Sequence, residues 1–381
     1  MDKIKIALIR SSPRASRVIL GAESIILSIA ERVNKNKFEM LIITFKEKGD
    51  SEPPLAARAK GAGLPVLQLE LNGRFDTGSI ARLRKILLDN GVDIMHSNEY
   101  KSDLIGFLAT RKTPIKKVAT AHGFLGTDPK ISFYERIDIE VLKRFDKIVA
   151  VSGSMKSVLA GRGIPAEKIV EVENAVDTGR YGKTGCGSAI RRELGIPEPG
   201  LLVVGIGRLS PERGFDRLLE AMSKVIRERK GAYLAIAGDG ALRAPLERKA
   251  RDLGIADNTR FLGFRNDADE ILSAADIFVS SSLKDSFGIA VIEAMAAGKP
   301  VVSTRTGIAP EAIEDMKTGM LVGIDDAAAI YNAVTALADD GELRKRMGSA
   351  AKDAVNRRFS LEAMVKRYER VYMDLEAGRD G

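Results

Sequence analysis

Short apolar runs alternate with amphipathic stretches along the first half of the chain. The apolar runs predict buried parallel strands at Ile4–Ile9, Met40–Thr44, Val66–Leu69, Asp93–His96, Lys117–Thr120 and Lys147–Val151. The stretches between them carry apolar residues at helical spacing and predict helices, for example at Ala22–Val33, Ile80–Asn90 and Phe133–Phe145. Strands and helices that alternate in this way are typical of a doubly wound α/β sheet.

The alternation breaks at residues 178–200, where glycine and proline are concentrated, and then begins again. The new strands are predicted at Leu201–Ile206, Tyr233–Ala237, Arg260–Leu262, Asp276–Ser280 and Val301–Ser303. We therefore predict Rossmann-like domains at 1–180 and 201–357, a linker at 181–200, and a tail at 358–381 whose helix packs on the first domain. Two such domains facing a cleft would bind a ligand between the carboxyl ends of both sheets.

The composition is ordinary for a globular protein, with 45% hydrophobic and 29% charged residues among 381. Cys186 is the only cysteine, so an internal disulfide is impossible and a reducing compartment is expected. The sequence has no apolar run of about 18 residues, the length that a transmembrane helix needs. Its start alternates polar and apolar residues like a strand and does not resemble a signal peptide. We therefore expect a cytoplasmic protein.

The net charge of +8 is concentrated in the first half. Residues 1–180 hold 30 Lys and Arg against 22 Asp and Glu, whereas residues 181–381 hold 30 of each kind. This excess of basic residues can be explained by solvated helix faces. The functional alternative is that the basic residues attract an anionic phospholipid surface, at the inner membrane face, or a phosphate-bearing acceptor. Nucleic acid is not expected as a partner, because no aromatic-interleaved basic motif and no zinc-ligand spacing is present.

The segment from Asp285 to Glu293 carries the sharpest chemical pattern. Phe287-Gly288 predicts a helix start, and Gly298-Lys299-Pro300 predicts its end before the strand at Val301. One carboxylate thus precedes a helix N-terminus, and the other lies about one turn inside it. Because helix N-termini attract anions, carboxylates beside one would suit a ligand that is both anionic and hydroxyl-rich. A sugar nucleotide has that chemistry.

Two loops of the second half have glycines where strands are predicted to end. In Gly207-Arg208-Leu209-Ser210-Pro211-Glu212-Arg213-Gly214, a glycine allows close approach to a ligand, and two guanidiniums could clamp a diphosphate. The alternative is an ordinary loop with surface arginines. Gly238-Asp239-Gly240 is a turn or a second close approach, and Phe264 is either part of a core turn or a platform for a nucleotide base.

In the first half, candidate residues follow or precede predicted strands in the same way. Gly21 begins a helix after a polar loop and would permit close approach of phosphate or sugar. His122 ends a strand at the presumed cleft and is either a ligand residue or a structural histidine. His96 ends the preceding strand and is interpreted as structural. Asn174-Ala175-Val176-Asp177 is interpreted as an Asx-type turn that closes the domain.

Taken in order, these pieces resemble the retaining glycosyltransferases of family 4, which have the two-domain GT-B architecture. The resemblance covers nearly the whole chain and is most specific from Gly207-Arg208-Leu209 through Asp285–Glu293 to Thr318-Gly319. It implies that Arg208 and Arg213 hold a donor diphosphate and that Glu293 binds the ribose hydroxyls. Gly207, Gly238 and Phe264 would belong to the same donor site.

The resemblance also implies that Asp285 faces the donor sugar and that His122 lies near that sugar. Backbone N–H groups of Phe287, Gly288 and Ile289 would meet the donor phosphates. The chain departs from the family pattern at three of these positions. Arg213 replaces the usual lysine, Asp285 replaces a glutamate, and Leu20 replaces the first glycine of a Gly-Gly pair that ends at Gly21.

The activity implied is transfer of a sugar from a UDP- or GDP-type nucleotide diphosphate donor to an acceptor hydroxyl, with retention and without a metal or other cofactor. The acceptor would be lipid-linked or a saccharide, in polysaccharide, lipopolysaccharide or glycolipid synthesis. Two alternatives stay open: a sugar-nucleotide epimerase of the same architecture, and an inactive protein that binds sugar nucleotide. A dehydrogenase is disfavoured, because Ile9-Arg10-Ser11-Ser12-Pro13-Arg14 lacks the Gly-x-Gly-x-x-Gly pattern.

Overall fold

We describe residues 3–11, 21–72, 76–122, 129–181 and 187–377 of a computed structural model, with only the backbone of residues 21 and 129–132. The chain divides into two compact units. The first unit comprises residues 1–174 and 362–381, and the second comprises residues 175–361. The chain therefore crosses between the units twice, once before Ala175 and once after Leu361.

The first unit is built on a seven-stranded, fully parallel sheet in the order β3-β2-β1-β4-β5-β6-β7. Its strands are β1 (Ile4–Ser11), β2 (Phe38–Glu47), β3 (Val66–Leu71), β4 (Ile94–Ser97), β5 (Lys116–Ala121), β6 (Lys147–Ala150) and β7 (Ile169–Glu171). Its helices are α1 (Gly21–Arg32), α2 (Pro54–Gly61), α3 (Thr77–Asp89), α4 (Tyr100–Thr110), α5 (Pro129–Leu142), α6 (Gly153–Gly161) and the last helix of the chain, α16 (Leu361–Ala377). The predicted α/β class and six of these strands are confirmed.

Helices cover this sheet, which explains why its strands consist of nearly continuous apolar residues. Ile6 to Ile9 of β1 are fully buried, as both faces of a parallel sheet require. The strand β7 was not predicted: it has three residues at the sheet edge and follows a 3-10 turn at Ala166–Lys168. So short a segment has no period that sequence analysis can detect.

The C-terminal helix α16 belongs to the first unit and is bonded to its sheet by a buried polar network. The His96 ring donates or accepts through Nδ1 to the Tyr372 hydroxyl at 2.8 Å and through Nε2 to the Thr120 hydroxyl at 2.7 Å. The Tyr368 hydroxyl lies 3.3 Å from the same Thr120 oxygen. Burial lowers the pKa of His96 to about 3, so the ring is neutral. His96 therefore has a structural position.

The second unit is built on a six-stranded parallel sheet in the order β10-β9-β8-β11-β12-β13. The strands are β8 (Leu201–Ile206), β9 (Ala232–Ala237), β10 (Thr259–Gly263), β11 (Ile277–Ser280), β12 (Val301–Thr304) and β13 (Met320–Val322). The helices are α7 (Thr178–Tyr181), α8 (Gly187–Glu193), α9 (Phe215–Glu228), α10 (Arg243–Asp252), α11 (Ala268–Ala274), α12 (Ile289–Ala296), α13 (Ala309–Ala312), α14 (Ala327–Asp339) and α15 (Gly341–Arg358). The second doubly wound sheet is thus confirmed, with a short edge strand, β13, that was not predicted.

The described residues of the segment expected to be a linker, 181 and 187–200, belong to the second unit. Ile190 of α8 is buried, and α8 packs on α11. Arg191 extends this contact, because its guanidinium binds the Asp276 carboxylate at 2.5 Å. Glycine and proline suggest a linker from sequence, but here they flank a packed helix whose partners are about 85 residues away along the chain.

Among the described residues, no helix combines the length and the apolar content that crossing a membrane requires.

Candidate functional site

The predicted residues of the second unit lie in loops at the carboxyl edge of its sheet. The sheet order reverses between β8 and β11, so the connections from these two strands run to opposite faces. Such a point is where open α/β sheets bind ligands, because the loops diverge and leave a crevice. The loops after β8, β9, β10 and β11 contain Gly207 to Gly214, Gly238, Phe264 and Asp285 respectively.

Glycine is required where the loops after β8 and β9 touch. Gly238 has φ of 144°, and a Cβ added to it would overlap the carbonyl oxygen of Gly207. Two backbone hydrogen bonds continue the contact: Gly207 N–H donates to Ala237 O at 3.0 Å, and Leu209 N–H donates to Asp239 O at 2.9 Å. The glycines therefore let two backbones meet, which is a more specific role than an ordinary turn.

Arg213 forms an ion pair with Asp285, bringing together two residues that the sequence separates by 72 positions. Backbone contacts join their two loops, because Leu283 N–H donates to Glu212 O at 2.8 Å and the Ser281 hydroxyl donates to Arg213 O at 3.1 Å. The Asp285 side chain is only 8% exposed and that of Arg213 is 26% exposed. No described residue accepts a hydrogen bond from the buried Arg213 Nε.

This pairing changes the expectation for Asp285. Its carboxylate binds Arg213 through Oδ2 and accepts a hydrogen bond from Phe287 N–H through Oδ1 at 3.3 Å. Aspartate is one methylene shorter than the usual glutamate, and the longer guanidinium of Arg213 reaches it. The two departures from the family pattern are therefore in direct contact with each other.

Arg208 lies at the same edge and is the most exposed of the charged candidates. Its side chain is 65% exposed, and its guanidinium is 3.3 Å from the Glu212 carboxylate. Burial alone would raise the pKa of Glu212, but the Ser210 hydroxyl and the charges of Arg208 and Arg213 hold it below its usual value. Arg208 is therefore solvent-exposed, and its guanidinium is accessible to a ligand.

The N-terminus of α12 is the third element of this edge. Gly288 is the N-cap residue with φ of 84°, and no side chain among the described residues caps the helix. The preceding Phe287 carbonyl accepts a hydrogen bond from Ile308 N–H at 2.6 Å. Gly307 must be a glycine there, since its φ is 56° and a Cβ would lie 2.5 Å from that carbonyl oxygen. The start of α12 is thus fixed and presents uncapped N–H groups.

Glu293 lies on α12 and has a partner that sequence analysis did not identify. The Tyr181 hydroxyl, on α7, donates a 2.6 Å hydrogen bond to Glu293 Oε1. Burial raises the pKa of Glu293, while this hydrogen bond and the charge of Arg180 act to lower it. Tyr181 was missed because it stands 112 residues earlier, in a glycine-rich stretch interpreted as a linker.

Phe264 follows the last residue of β10 and is 52% exposed. An exposed aromatic ring at the carboxyl edge of a sheet is available for stacking, so the interpretation as a base platform stays a prediction.

In the first unit, His122 follows β5 at the carboxyl edge of the sheet. No described residue forms a hydrogen bond with its buried Nε2 atom. Burial, and then the charge of Arg10, lower the pKa of His122 to about 3, so the ring is neutral near pH 7. Gly21 is the first residue of α1. Leu20, the polar loop before it and Gly123 lie outside the described residues.

Two buried carboxyl groups of the first unit were not identified from the sequence. Asp103 of α4 accepts a hydrogen bond from the Ser97 hydroxyl and interacts with Asp138 of α5. Burial raises the pKa of Asp103, and it raises the pKa of Asp138 to about 7. Carboxyls that retain a proton in this way are poor candidates for an ionised nucleophile.

Two family models match the chain, one in each half. Residues 19–180 match "Glycosyltransferase Family 4", and residues 188–354 match "Glycosyl transferases group 1". The second match contains Arg208, Arg213, Asp285 and Glu293.

Among curated proteins, the chain is 29% identical over 308 residues to the N-acetyl-alpha-D-glucosaminyl L-malate synthase of Bacillus anthracis, covering 79% of this chain and 80% of that protein. It is 24% identical over 384 residues to an Escherichia coli UDP-Gal:alpha-D-GlcNAc-diphosphoundecaprenol alpha-1,3-galactosyltransferase, covering 98% of both.

Among solved structures, the fold resembles Anabaena Alr3699/HepE, crystallised in complex with UDP and glucose. The TM-score is 0.84 at 22% sequence identity, covering 97% of this chain and 100% of that one. The matched residues include both units. This likeness shows the GT-B fold. The chain is also 30% identical over 302 residues to the D-inositol 3-phosphate glycosyltransferase of Corynebacterium aurimucosum, covering 74% of this chain and 72% of that protein, and together with the two family models this shows that it belongs to family 4 of the glycosyltransferases.

Proposed function

We propose that this glycosyltransferase moves a sugar from a nucleotide diphosphate donor to an acceptor hydroxyl, with retention of anomeric configuration. One observation carries the proposal. Two guanidiniums, Arg208 and Arg213, and the uncapped start of α12 lie at the carboxyl edge of one sheet. Forked cationic donors and helix N–H groups both bind phosphate oxygens.

The departing diphosphate sets the chemical problem of the reaction. Negative charge grows on it as the bond to the sugar lengthens, and fixed cations and N–H dipoles stabilise that charge without reorganising. Arg213 is held in place by Asp285, and Arg208 is exposed at the same edge of the sheet. No step in this scheme calls on a metal ion.

The donor is proposed to carry a ribose and a uridine or guanosine base. Glu293 supplies carboxylate oxygens for the ribose hydroxyls, and Phe264 supplies an exposed ring for the base. The complex of the Anabaena protein with UDP makes uridine nucleotides the first to test. Guanosine nucleotides are the second.

The test is turnover by Arg208→Ala with a donor chosen from a thermal-shift screen, since a bound nucleotide raises the melting temperature. Loss of one preorganised donor to the leaving group costs about 10²–10³ in turnover. Arg217→Ala is the matched control, because Arg217 lies on α9 in surface ion pairs. A loss below tenfold for Arg208→Ala would show that the clamp assignment is wrong.

Retention and the absence of a metal requirement are tested on the same reaction. Proton NMR of the first product formed is expected to show the anomeric configuration of the donor, and a chelator is expected to leave the rate unchanged. An inverted product contradicts the proposed mechanism. Release of free monosaccharide isomers without acceptor would instead indicate an epimerase.

The acceptor is proposed to be lipid-linked and met at an anionic membrane. Four large apolar side chains on α4 and α5 are exposed by 37% to 60%: Tyr100, Leu104, Phe133 and Ile137. They lie in the half of the chain that carries the excess of basic residues. The Escherichia coli relative is named for a diphosphoundecaprenol acceptor, whereas the Bacillus anthracis relative is named for malate, so the acceptor needs its own test.

Flotation with liposomes of zwitterionic or anionic lipid separates these cases. We expect binding to the anionic liposomes only, weakened by Phe133→Ala. Leu88→Ala is the matched control, since Leu88 is also half exposed but lies on α3. Equal flotation with both lipids, or with neither, would remove the membrane from the proposal and leave the donor chemistry untouched.

A further inference from the structure

The carboxylate of Glu293 is held by a side chain from a different element. Tyr181 is 7% exposed, and its hydroxyl lies 2.6 Å from Glu293 Oε1. The hydroxyl donates and the carboxylate oxygen accepts, which makes this a charge-assisted hydrogen bond. Its length is typical of the stronger members of that class.

Tyr181 is itself fixed by a second set of contacts. The short helix α7 packs against α11 and α12. The neighbouring Arg180 guanidinium binds the Asp269 carboxylate and the Asn266 carbonyl, both at 2.7 Å, and lies over the Tyr181 ring. The packing of α7 and the contacts of Arg180 therefore hold the phenol in place. The Tyr181 hydroxyl is therefore buried and held in one position.

A carboxylate that binds two vicinal hydroxyls must keep its plane in one orientation. A free glutamate side chain would lose rotamer entropy on binding, whereas one already held by Tyr181 has lost it on folding. The hydrogen bond occupies Oε1 on one side and leaves the other acceptor directions for a ligand. Glu293 is also half-buried, so few other partners can reorient it.

We propose that Tyr181 is a positioning residue that orients Glu293 toward the ribose hydroxyls of the donor nucleotide and so selects ribonucleotides over deoxynucleotides. This inference rests on the proposed function, which assigns Glu293 to the ribose. It adds a residue from the glycine-rich segment 178–187.

The electrostatics support this role. Burial raises the pKa of Tyr181, and the Glu293 charge raises it further, so the phenol stays protonated as a donor at every pH used for enzymes. The same hydrogen bond opposes the effect of burial on the Glu293 carboxyl. Removing the hydroxyl would let the pKa of Glu293 rise further. As the pH falls, protonation of Glu293 would weaken ribose binding, and in the variant this weakening would begin at a higher pH than in the wild type.

The experiment measures dissociation constants by calorimetry for UDP and for 2′,3′-dideoxy-UDP, or for the guanosine pair if the protein binds GDP. Wild type is expected to bind the ribonucleotide more tightly. Tyr181→Phe is expected to weaken binding of UDP about tenfold, the value of one hydrogen bond to a charged group. Binding of the dideoxy compound should change less than twofold, because it has no hydroxyls to place.

Two further variants keep the result interpretable. Tyr331→Phe is the matched control, since the Tyr331 hydroxyl donates to Glu228 at 2.5 Å on the surface of the same unit. Arg180→Ala loosens α7 and is expected to reduce the preference for UDP in part, which provides a test if Tyr181→Phe does not fold. General destabilisation lowers the melting temperature but does not change the ratio of the two dissociation constants.

The outcomes separate the two proposals. A wild type that binds no nucleotide overturns the proposed function, and this inference with it. A wild type that binds UDP, with an unchanged preference in Tyr181→Phe and Arg180→Ala, overturns the positioning role alone. The positioning role would also be contradicted if the dissociation constant for UDP depended less on pH in Tyr181→Phe than in the wild type.

Discussion

Arg213 and Asp285 are two residues whose chemistry depends on each other. Each departs from the residue usual in the family, and the departures run in opposite directions: a longer cation faces a shorter anion. The family resemblance implies that Asp285 faces the donor sugar. The ion pair gives another explanation, in which the summed length of the two side chains is conserved and Asp285 holds the Arg213 guanidinium in place.

This pairing predicts strong coupling between the two positions. Arg213→Lys and Asp285→Glu are each expected to lower kcat/KM, because one leaves a gap in the pair and the other a clash. The double variant should recover much of the loss, with a coupling of about 1–3 kcal/mol in a double-mutant cycle. Losses that simply add would show that the two side chains act independently. Binding of UDP by each variant separates folding defects from defects in turnover.

Some of the candidate residues could be predicted from the sequence, and others could not. Arg208, Glu293 and Gly288 could be predicted as site residues because they stand at fixed distances from a predicted strand end or helix start, and their roles stay predictions. Tyr181 could not be predicted, since nothing local marks a tyrosine that donates to a carboxylate 112 residues away. Sequence analysis also missed Asp103 and Asp138, because these two residues come together only when α4 and α5 pack.

At the level of elements, close contact between two loops explains a glycine that looked like a simple turn former. Gly238 combines φ of 144° with a backbone oxygen where a Cβ would stand. Gly254 has φ of 71° and no atom within 4 Å of such a Cβ. The two glycines therefore differ in the room available for a Cβ atom, although the positive φ of both favours glycine.

We expect Gly238→Ala to be more damaging than Gly254→Ala. Strain alone should cost Gly254→Ala about 1 kcal/mol of unfolding free energy. Gly238→Ala must also push the loops after β8 and β9 apart, and it should weaken UDP binding because the backbone around Arg208 moves. Urea unfolding and calorimetry measure the two effects. Equal losses in both variants would show that the loop contact contributes nothing.

For the whole molecule, α16 joins the end of the chain to the sheet of the first unit through His96. The ring is neutral, with a pKa lowered to about 3 by burial from an ordinary value of 6.5. Between these two values the unfolded chain binds a proton that the folded chain does not, so the folded state loses stability as the pH falls through this window.

This argument predicts that His96→Gln changes the pH dependence of unfolding. Between pH 7 and pH 5, the wild type should lose about 2 kcal/mol more than the variant, because only the wild type carries this titrating group. Carboxyls with raised pKa, such as Asp138, act in the opposite direction but are common to both proteins. Urea unfolding followed by tyrosine emission is suitable, since the chain has no tryptophan. If the unfolding free energies of the wild type and His96→Gln changed equally with pH, the conclusion that His96 is neutral in the folded protein would be contradicted.

The alternation of apolar runs and amphipathic stretches was enough to predict two doubly wound sheets and to place the candidate loops at strand ends. That information is local, because burial on both faces of a strand shows in consecutive residues. Which side chains meet was decided only in three dimensions. The pairs Arg213–Asp285, Tyr181–Glu293 and His96–Tyr372 join residues 72, 112 and 276 positions apart. The spacing along a chain cannot specify such pairs, because they form only when separate strands and helices pack.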